Sequence, residues 1–437
     1  MSLTRALAEF TTQARAADLP GLDREILRRH TLDVAVARVL GGATEEGRRL
    51  RNVFGPGLGA DGIAGIAGLV RMTEMDDIHT GSNTTPSSVA APVAFCLYGD
   101  GGRDPREIEN AIYVGVELLV RFGRAMDGAR ALFKGFWPTR CAATLAACAT
   151  ACRMLALTID ETEDALSLAL TTGATRSGRF AREPSGRWIV FANAVATGVR
   201  MAYAAREGFR GATPPPDAEW IATTMGLDFN AALLLDGLGA GSVFPELSMK
   251  PYATARQTLG VTEAMRELMR EGLDPATVRK VVLRVPTSHK AMVSQTLEPH
   301  ARGVAFVSAA AQVATAALSD ADLFDVERRN VLADQRFADF ASRVEIVGDP
   351  EHDREFPAVW TASIDVETDA GMLRKDVRHA LGSPENRMSD ADLLEKARKA
   401  LGWFGQANRA DDIMKAGPRM FEDEAAASAV ATLFVDG

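Results

Sequence analysis

The spacing of apolar residues changes once along this chain, and that change constrains the fold more than any other feature. Up to about residue 265 the apolar positions recur at three- and four-residue steps, and from about residue 274 several short stretches alternate instead. "EIENAIYVGVELLVRFGRAM" puts Ile108, Ala111, Ile112, Gly115, Leu118, Leu119 and Phe122 on one helical face, with Val114, Val116 and Val120 covering much of the rest. That spacing predicts a helix buried on most sides. "LDREILRRHTLDVAVARVLGG" predicts another, stopping at Gly41-Gly42. "CAATLAACATACRMLAL" is dominated by small side chains that let helices approach closely. "DETEDALSLALTTGAT" and "ANAVATGVRMAYAAREG" predict two more helices, the second ending at Gly208, and "GATPPPDAEW" reads as a rigid connector.

Beyond the switch, "DPATVRKVVLRVPTS" alternates as a strand from Val278 to Val285. "SRVEIVGD" and "AVWTASIDVETDAGMLRKDVRH" also read as strands, the latter a hairpin turning near Asp369-Ala370-Gly371. "AFVSAAAQVATAALSD", "VERRNVLADQRFADFA", "SDADLLEKARKALGWF" with Ser389 as N-cap, and "DEAAASAVATLFV" read as helices. There is no internal repeat.

A chain of 437 residues predicts two domains, with three possible. Forty-nine basic against 58 acidic residues, net -9, argue against nucleic acid as a partner. A carboxylate substrate would need local arginines and lysines to reverse the sign of the field. No apolar run reaches the length of a membrane span and no secretory signal opens the chain, so a reduced, cytoplasmic setting is expected. Cys148 and Cys152 share a helical face, but no further ligands accompany them, so close helix packing is the expected role and no metal site is predicted.

Four stretches hold candidate chemistry. "TEMDDIHTGSNTTPSSV" (73–89) pairs Asp76 and Asp77 with His79, suited to acid–base work or, more simply, to capping a helix at Pro86-Ser87-Ser88. In "FKGFWPTRCAA" (133–143), Gly135 and Pro138 fix a sharp helix entry whose first-turn amides, with Arg140, suit an anion; a plain junction with a buried Trp137 is the alternative. "EPSGRWIVFANA" (183–194) offers Arg187 as a carboxylate clamp or a solvated cation. "ELSMKPYATARQ" (246–257) offers Lys250 on an extended pre-proline segment and Arg256 beyond it, an anion site or two exposed cations. Phosphate-loop, dinucleotide, HExxH and GxSxG motifs are missing from the sequence.

Taken in order, these stretches resemble the MmgE/PrpD family of 2-methylcitrate dehydratases and related enzymes. "MDDIH…TTPSS" is similar to its acidic motif, and Gly115, Glu117 and Arg121 to its GxExxxR helix. "KGFWPT" resembles its GFHPT turn, "GRWIVFANAVATGV" a helix start, "SMKPYATARQ" its K-x-Y-P-x-C-R element, and "GSPENRMSDADLLEKARKAL" its lid-closing stretch. The resemblance implies a mainly α fold: a large all-helical domain over 1–267 and 403–437, and a smaller α+β lid over 268–402. It implies a cofactor-free homodimer with a site between the domains that acts on small polycarboxylates by dehydration, decarboxylation or epimerisation. By the same resemblance Asp77, His79 and Lys250 are the catalytic candidates, and Asp76, Thr85, Trp137, Arg140, Arg187, Tyr252 and Arg256 line the substrate.

The chain departs from the family pattern at Thr85 and Trp137, where histidines are expected. Arg187 stands for a lysine, Val190 for another histidine, and Ala311 for a tyrosine. Anion-binding charges survive while groups that would protonate a leaving hydroxyl do not, and Trp137 implies a less polar wall. The leading expectation is a lyase of the hydratase/dehydratase type. An epimerase or isomerase of a dicarboxylate is the runner-up, and a non-catalytic carboxylate-binding protein is a third reading.

Overall fold

The computed structural model describes residues 2–99, 103–172, 185–297 and 302–435. The chain divides into two compact units. Of the described residues, the first comprises 2–99, 103–172, 186–247 and 408–435, and the second Ser185, 248–297 and 302–407. The domain boundary expected at 267/268 falls inside a helix of the second unit, Arg256–Arg270. No helix among the described residues is long and apolar enough to cross a membrane.

The first unit is helical. Its main helices are α1 (Leu3–Gln13), α2 (Gly21–Ala43), α3 (Glu45–Phe54), α4 (Ala60–Arg71), α5 (Ser87–Tyr98), α6 (Pro105–Ala125), α7 (Pro138–Met154), α8 (Ile159–Thr171), α9 (Gly186–Arg206) and α10 (Ala218–Met225). The C-terminal helix Glu424–Val435 packs on α5 and α2. Helix α7 lies at the centre, against α5, α6, α8 and α9. Its small side chains permit this: a Cβ on Gly115 of α6 would stand 2.1 Å from Thr150 Oγ1 of α7. The four cysteines are all buried, and Cys148 and Cys152 lie with their sulfurs 4.0 Å apart inside this packing.

Helix α2 does not stop at Gly41-Gly42. It runs through both to Ala43, with Thr44 as its C-cap. The glycine serves a helix crossing: a Cβ on Gly41 would meet Leu69 O of α4 at 1.9 Å. Similarly α9 begins at Gly186, so Arg187 lies in its first turn; Glu183 and Pro184 of the expected turn lie outside the described residues.

The second unit is α+β. It contains α11 (Arg256–Arg270), β1 (Val278–Val285), α12 (Ala309–Leu318), β2 (Val344–Gly348), β3 (Ala362–Thr368), β4 (Gly371–Val377) and α13 (Asp390–Gly402). The sheet order is β2-β1-β3-β4: β1 pairs parallel with β2 (Val281 opposite Val344) and antiparallel with β3 (Val281 opposite Val366). The β3–β4 hairpin turns at Asp369-Ala370, with Gly371 at φ 131°. Alternation along β1 buries Val281, Leu283 and Val285, the inward set that predicts the strand. Two expected helices are each broken once, by the N-caps Ser308 and Asp334, whose side chains accept amides of the following segment. Ser389 caps α13 in a reciprocal box with Asp392.

Candidate active site

Asp76 and Asp77 sit on the segment from α4 to α5, both fully buried. They take separate partners. Asp77 Oδ2 accepts the Ser87 hydroxyl at 2.5 Å, Asp77 Oδ1 lies 3.3 Å from the Ser87 amide at the start of α5, and His30 Nδ1 of α2 is 3.2 Å from Oδ2. The helix-capping reading therefore describes Asp77 well, with His30 added from another helix. Asp76 instead accepts from Arg71 Nη1 at 3.0 Å.

Arg71 opens a second cluster. It also pairs with Glu74 at 3.0 Å, and Glu74 in turn takes Arg187 Nη2 at 2.7 Å. Both guanidinium groups lie over indoles: Arg71 is 5.7 and 5.6 Å from the Trp137 and Trp188 ring centroids, Arg187 4.9 and 4.4 Å. Such contacts contribute roughly 0.5–2 kcal/mol each, more when desolvated. Glu74 adopts a left-handed backbone, φ 52°, where a β-carbon is unfavourable, and its two arginine bonds hold it there. Burial lowers the Arg187 pKa, against the opposing pull of Glu74. Arg187 is thus neither a solvated cation nor an open clamp, since its guanidinium is already engaged by a carboxylate and two rings.

His79 lies within a tight turn. Its N–H donates to Thr84 O at 2.7 Å, Thr84 N–H returns to His79 O at 3.2 Å, and Asn83 takes the left-handed conformation, φ 51°, that Asn tolerates. The ring is buried. Nδ1 lies 3.0 Å from the Ser82 amide and 2.8 Å from its hydroxyl. Nε2 lies 3.3 Å from Glu246 Oε2 and 3.2 Å from Arg124 Nη2, and Arg124 is bonded to that same Glu246 oxygen. Burial holds the His79 pKa below the usual histidine value; Arg124 adds to that, while Glu246 and Asp77 oppose it. For Glu246, burial acts upward but is outweighed by His79 and Arg124, which bring it down to about 2.

Glu246 is placed by a buried pair on α6. Arg121 Nε donates to Glu117 Oε1 at 2.6 Å, and its Nη atoms donate to the carbonyls of Asp236 (2.8 Å) and Gly237 (3.1 Å). Glu117 Oε2 accepts the Val243 amide at 3.0 Å. The GxExxxR residues thus anchor residues 236–243, the lead into Glu246.

Thr85 joins two helix starts. Its amide donates to Thr139 Oγ1 at 3.2 Å and its hydroxyl lies 3.2 Å from Ser88 Oγ. Helix α7 opens with Pro138 at its first position after Gly135 at φ 89°, the sharp entry the sequence implies, and Arg140 is half-buried in its first turn.

In the second unit Lys250, Tyr252 and Arg256 are all buried, so none is a surface cation or rim residue. The Tyr252 hydroxyl donates to Glu263 at 2.8 Å, and Arg266 donates to the same oxygen at 2.7 Å. Tyr252 is therefore committed to that unit's core. Arg256 Nη2 donates to Ser383 Oγ at 3.2 Å and its guanidinium lies 5.7 Å from the Trp360 ring centroid; burial brings its pKa to about 10. No cluster able to hold a metal occurs among the described residues.

Profiles described as the MmgE/PrpD N-terminal domain and the MmgE/PrpD C-terminal domain match residues 60–226 and 252–417. The chain belongs to the MmgE/PrpD family. No curated protein matches it. The MmgE/PrpD family includes dehydratases, decarboxylases and epimerases acting on carboxylic acids. The N-terminal match contains the Asp76–His79 motif, Arg124, Trp137 and Arg187, whereas Glu246 and Lys250 fall in the interval between the two matches. Sequence reasoning missed His30, Arg71, Glu74, Arg124 and Glu246. Glu246 opens the quoted ELSMKPYATARQ stretch and Glu74 is the second residue of TEMDDIHTGSNTTPSSV; His30, Arg71 and Arg124 carry no local motif.

Proposed function

We propose that this MmgE/PrpD protein is a cofactor-independent lyase of the hydratase/dehydratase type, which removes a proton next to a carboxylate of a small di- or tricarboxylate. The observation that carries this reading is the placement of His79. It is a buried histidine on the family's acidic motif, pinned at Nδ1 and facing Glu246 and Arg124 through Nε2. Asp77, an acceptor for Ser87 and His30, is assigned the base. Lys250 stabilises enolate charge or carries the proton, and Arg256 and Arg140 are assigned to substrate carboxylates. Fixed cations opposite a developing enolate act strongly where water is excluded. The protein is further read as a homodimer, by family resemblance, and as cytoplasmic, a setting that its four buried, unpaired thiols support.

Epimerisation of a dicarboxylate is the second reading, favoured by a specific observation. Thr85 and Trp137 stand where the resemblance expects histidines; Thr85 is bonded to Thr139 and Ser88, and Trp137 meets Trp188 edge to face and lies under the Arg187 guanidinium, so neither position supplies an imidazole to protonate a leaving group. The test is a thermal-shift screen of polycarboxylates, followed by proton NMR in deuterium oxide on the hits. New vinylic signals mark elimination. Deuterium at the α-carbon with all other atoms retained marks epimerisation. Tight binding without either change would make the chain a carboxylate-binding protein and remove the lyase reading.

A further inference from the structure

We propose that Arg124 and the Nε2–H of His79 form a binding site for a substrate carboxylate, which Glu246 occupies as an internal competitor. The inference rests on the reading that the substrate is a small carboxylic acid.

The argument begins at Nδ1. A main-chain N–H only donates, and that of Ser82 lies 3.0 Å from Nδ1. Nδ1 therefore carries the lone pair, and the neutral ring bears its proton on Nε2. Arg124 Nη2, 3.2 Å from Nε2, has no lone pair to meet there; it donates to Glu246 Oε2 instead. The imidazole N–H, 3.3 Å away, points at the same oxygen. Two donors from separate elements, α6 and the 78–84 turn, thus converge on one carboxylate oxygen, the arrangement of a charge-assisted anion site.

This geometry argues against His79 as a proton relay, because its basic nitrogen is already bonded to the backbone. It suits a fixed, neutral hydrogen-bond donor whose burial also disfavours the charged form. Glu246 differs from its two partners in exposure: its side chain is 53% exposed, against 26% for Arg124 and 2% for His79. An ion pair so open to water is weak and exchangeable. The donors are the fixed part of the site and the glutamate the replaceable part. In a chain of net charge -9, such a cradle also supplies the local reversal of sign that an anionic substrate needs.

The experiment uses succinate as probe on the full chain, with calorimetry for affinity and imidazole 15N–1H correlation spectra for His79, assigned with His79→Gln. Wild type should show a protonated Nε2 and an unprotonated Nδ1. Glu246→Ala should bind succinate about fivefold more tightly, the scale of one exposed ion-pair competitor, and the His79 Nε2–H signal should shift on titration. The gain should vanish in Arg124→Gln/Glu246→Ala. A proton on Nδ1, a His79 signal in Glu246→Ala indifferent to succinate, or a gain that persists without Arg124 would overturn the proposal. These readouts are independent of turnover, so a protein that binds at His79 but neither eliminates nor exchanges would count against the lyase and epimerase readings alone.

Discussion

Asp76 and Asp77 are neighbours in the chain, yet their carboxylates belong to different networks: Asp76 is held by Arg71 at 3.0 Å, Asp77 by His30 at 3.2 Å and by Ser87. Two carboxylates with separate partners are not a proton-sharing dyad. Asp76 belongs to the tryptophan–arginine layer, and Asp77 ties α2 to the start of α5.

Replacing His30 by Ala should therefore remove a bond to a fully buried acceptor. A loss of about 1–3 kcal/mol is expected, read as a lower urea midpoint at unchanged slope. His30→Gln, which can still donate, should recover part of it.

Arg121→Met should be more damaging, because it leaves the buried Glu117 carboxylate without its cation. Breaking such a pair costs roughly 3–5 kcal/mol. Burial already pushes the Glu117 pKa up, so the loss should shrink at acidic pH as the carboxyl takes up a proton. The double variant with Glu117→Gln should be more stable than Arg121→Met alone. Equal destabilisation in the single and the double variant, by denaturant titration, would refute a charge-pair origin.

His289, buried in T-shaped contact with Trp360 and Phe356 (ring centroids 4.7 and 5.1 Å apart), should govern acid stability of the second unit. Burial lowers its pKa to about 3, with Arg256 acting the same way. The unfolded chain takes up the proton near the ordinary value, so stability is full above about pH 6.5 and is lost as pH falls toward the folded value. The loss is on the order of 3 kcal/mol by about pH 4. His289→Phe should flatten the melting temperature across that window.

Lys250→Ala should lower turnover by about 10²-fold or more if Lys250 moves the proton or steadies the enolate. Circular dichroism should show the fold retained. Near-wild-type turnover would remove Lys250 from the mechanism.

Much of the fold was legible because it depends on local periodicity. The alternation of Val281, Leu283 and Val285 predicts a strand whatever its partners, and "DAG" marks a hairpin by its own backbone preferences. Gly41-Gly42 misled because a glycine at a helix end and one at a helix crossing look the same in one dimension; only the Leu69 carbonyl distinguishes them. The site was legible in part. Asp77, His79 and Lys250 sit in unusual local contexts, whereas His30, Arg124 and Glu246 gain meaning only from partners 47, 45 and 167 residues away. Arg187 and Tyr252 were visible as residue types, but their commitment to Glu74 and Glu263 was not.

The contact between the Ser82 amide and His79 has a consequence for how this protein can diverge. Side-chain hydrogen bonds disappear with a single codon change, but a peptide N–H persists under every replacement except proline. The protonation pattern of His79 is therefore insulated from drift at position 82, and altering it requires reshaping the whole 79–84 loop. A lineage seeking new chemistry here would more readily vary Glu246, the most exposed member of the trio, than retune the imidazole.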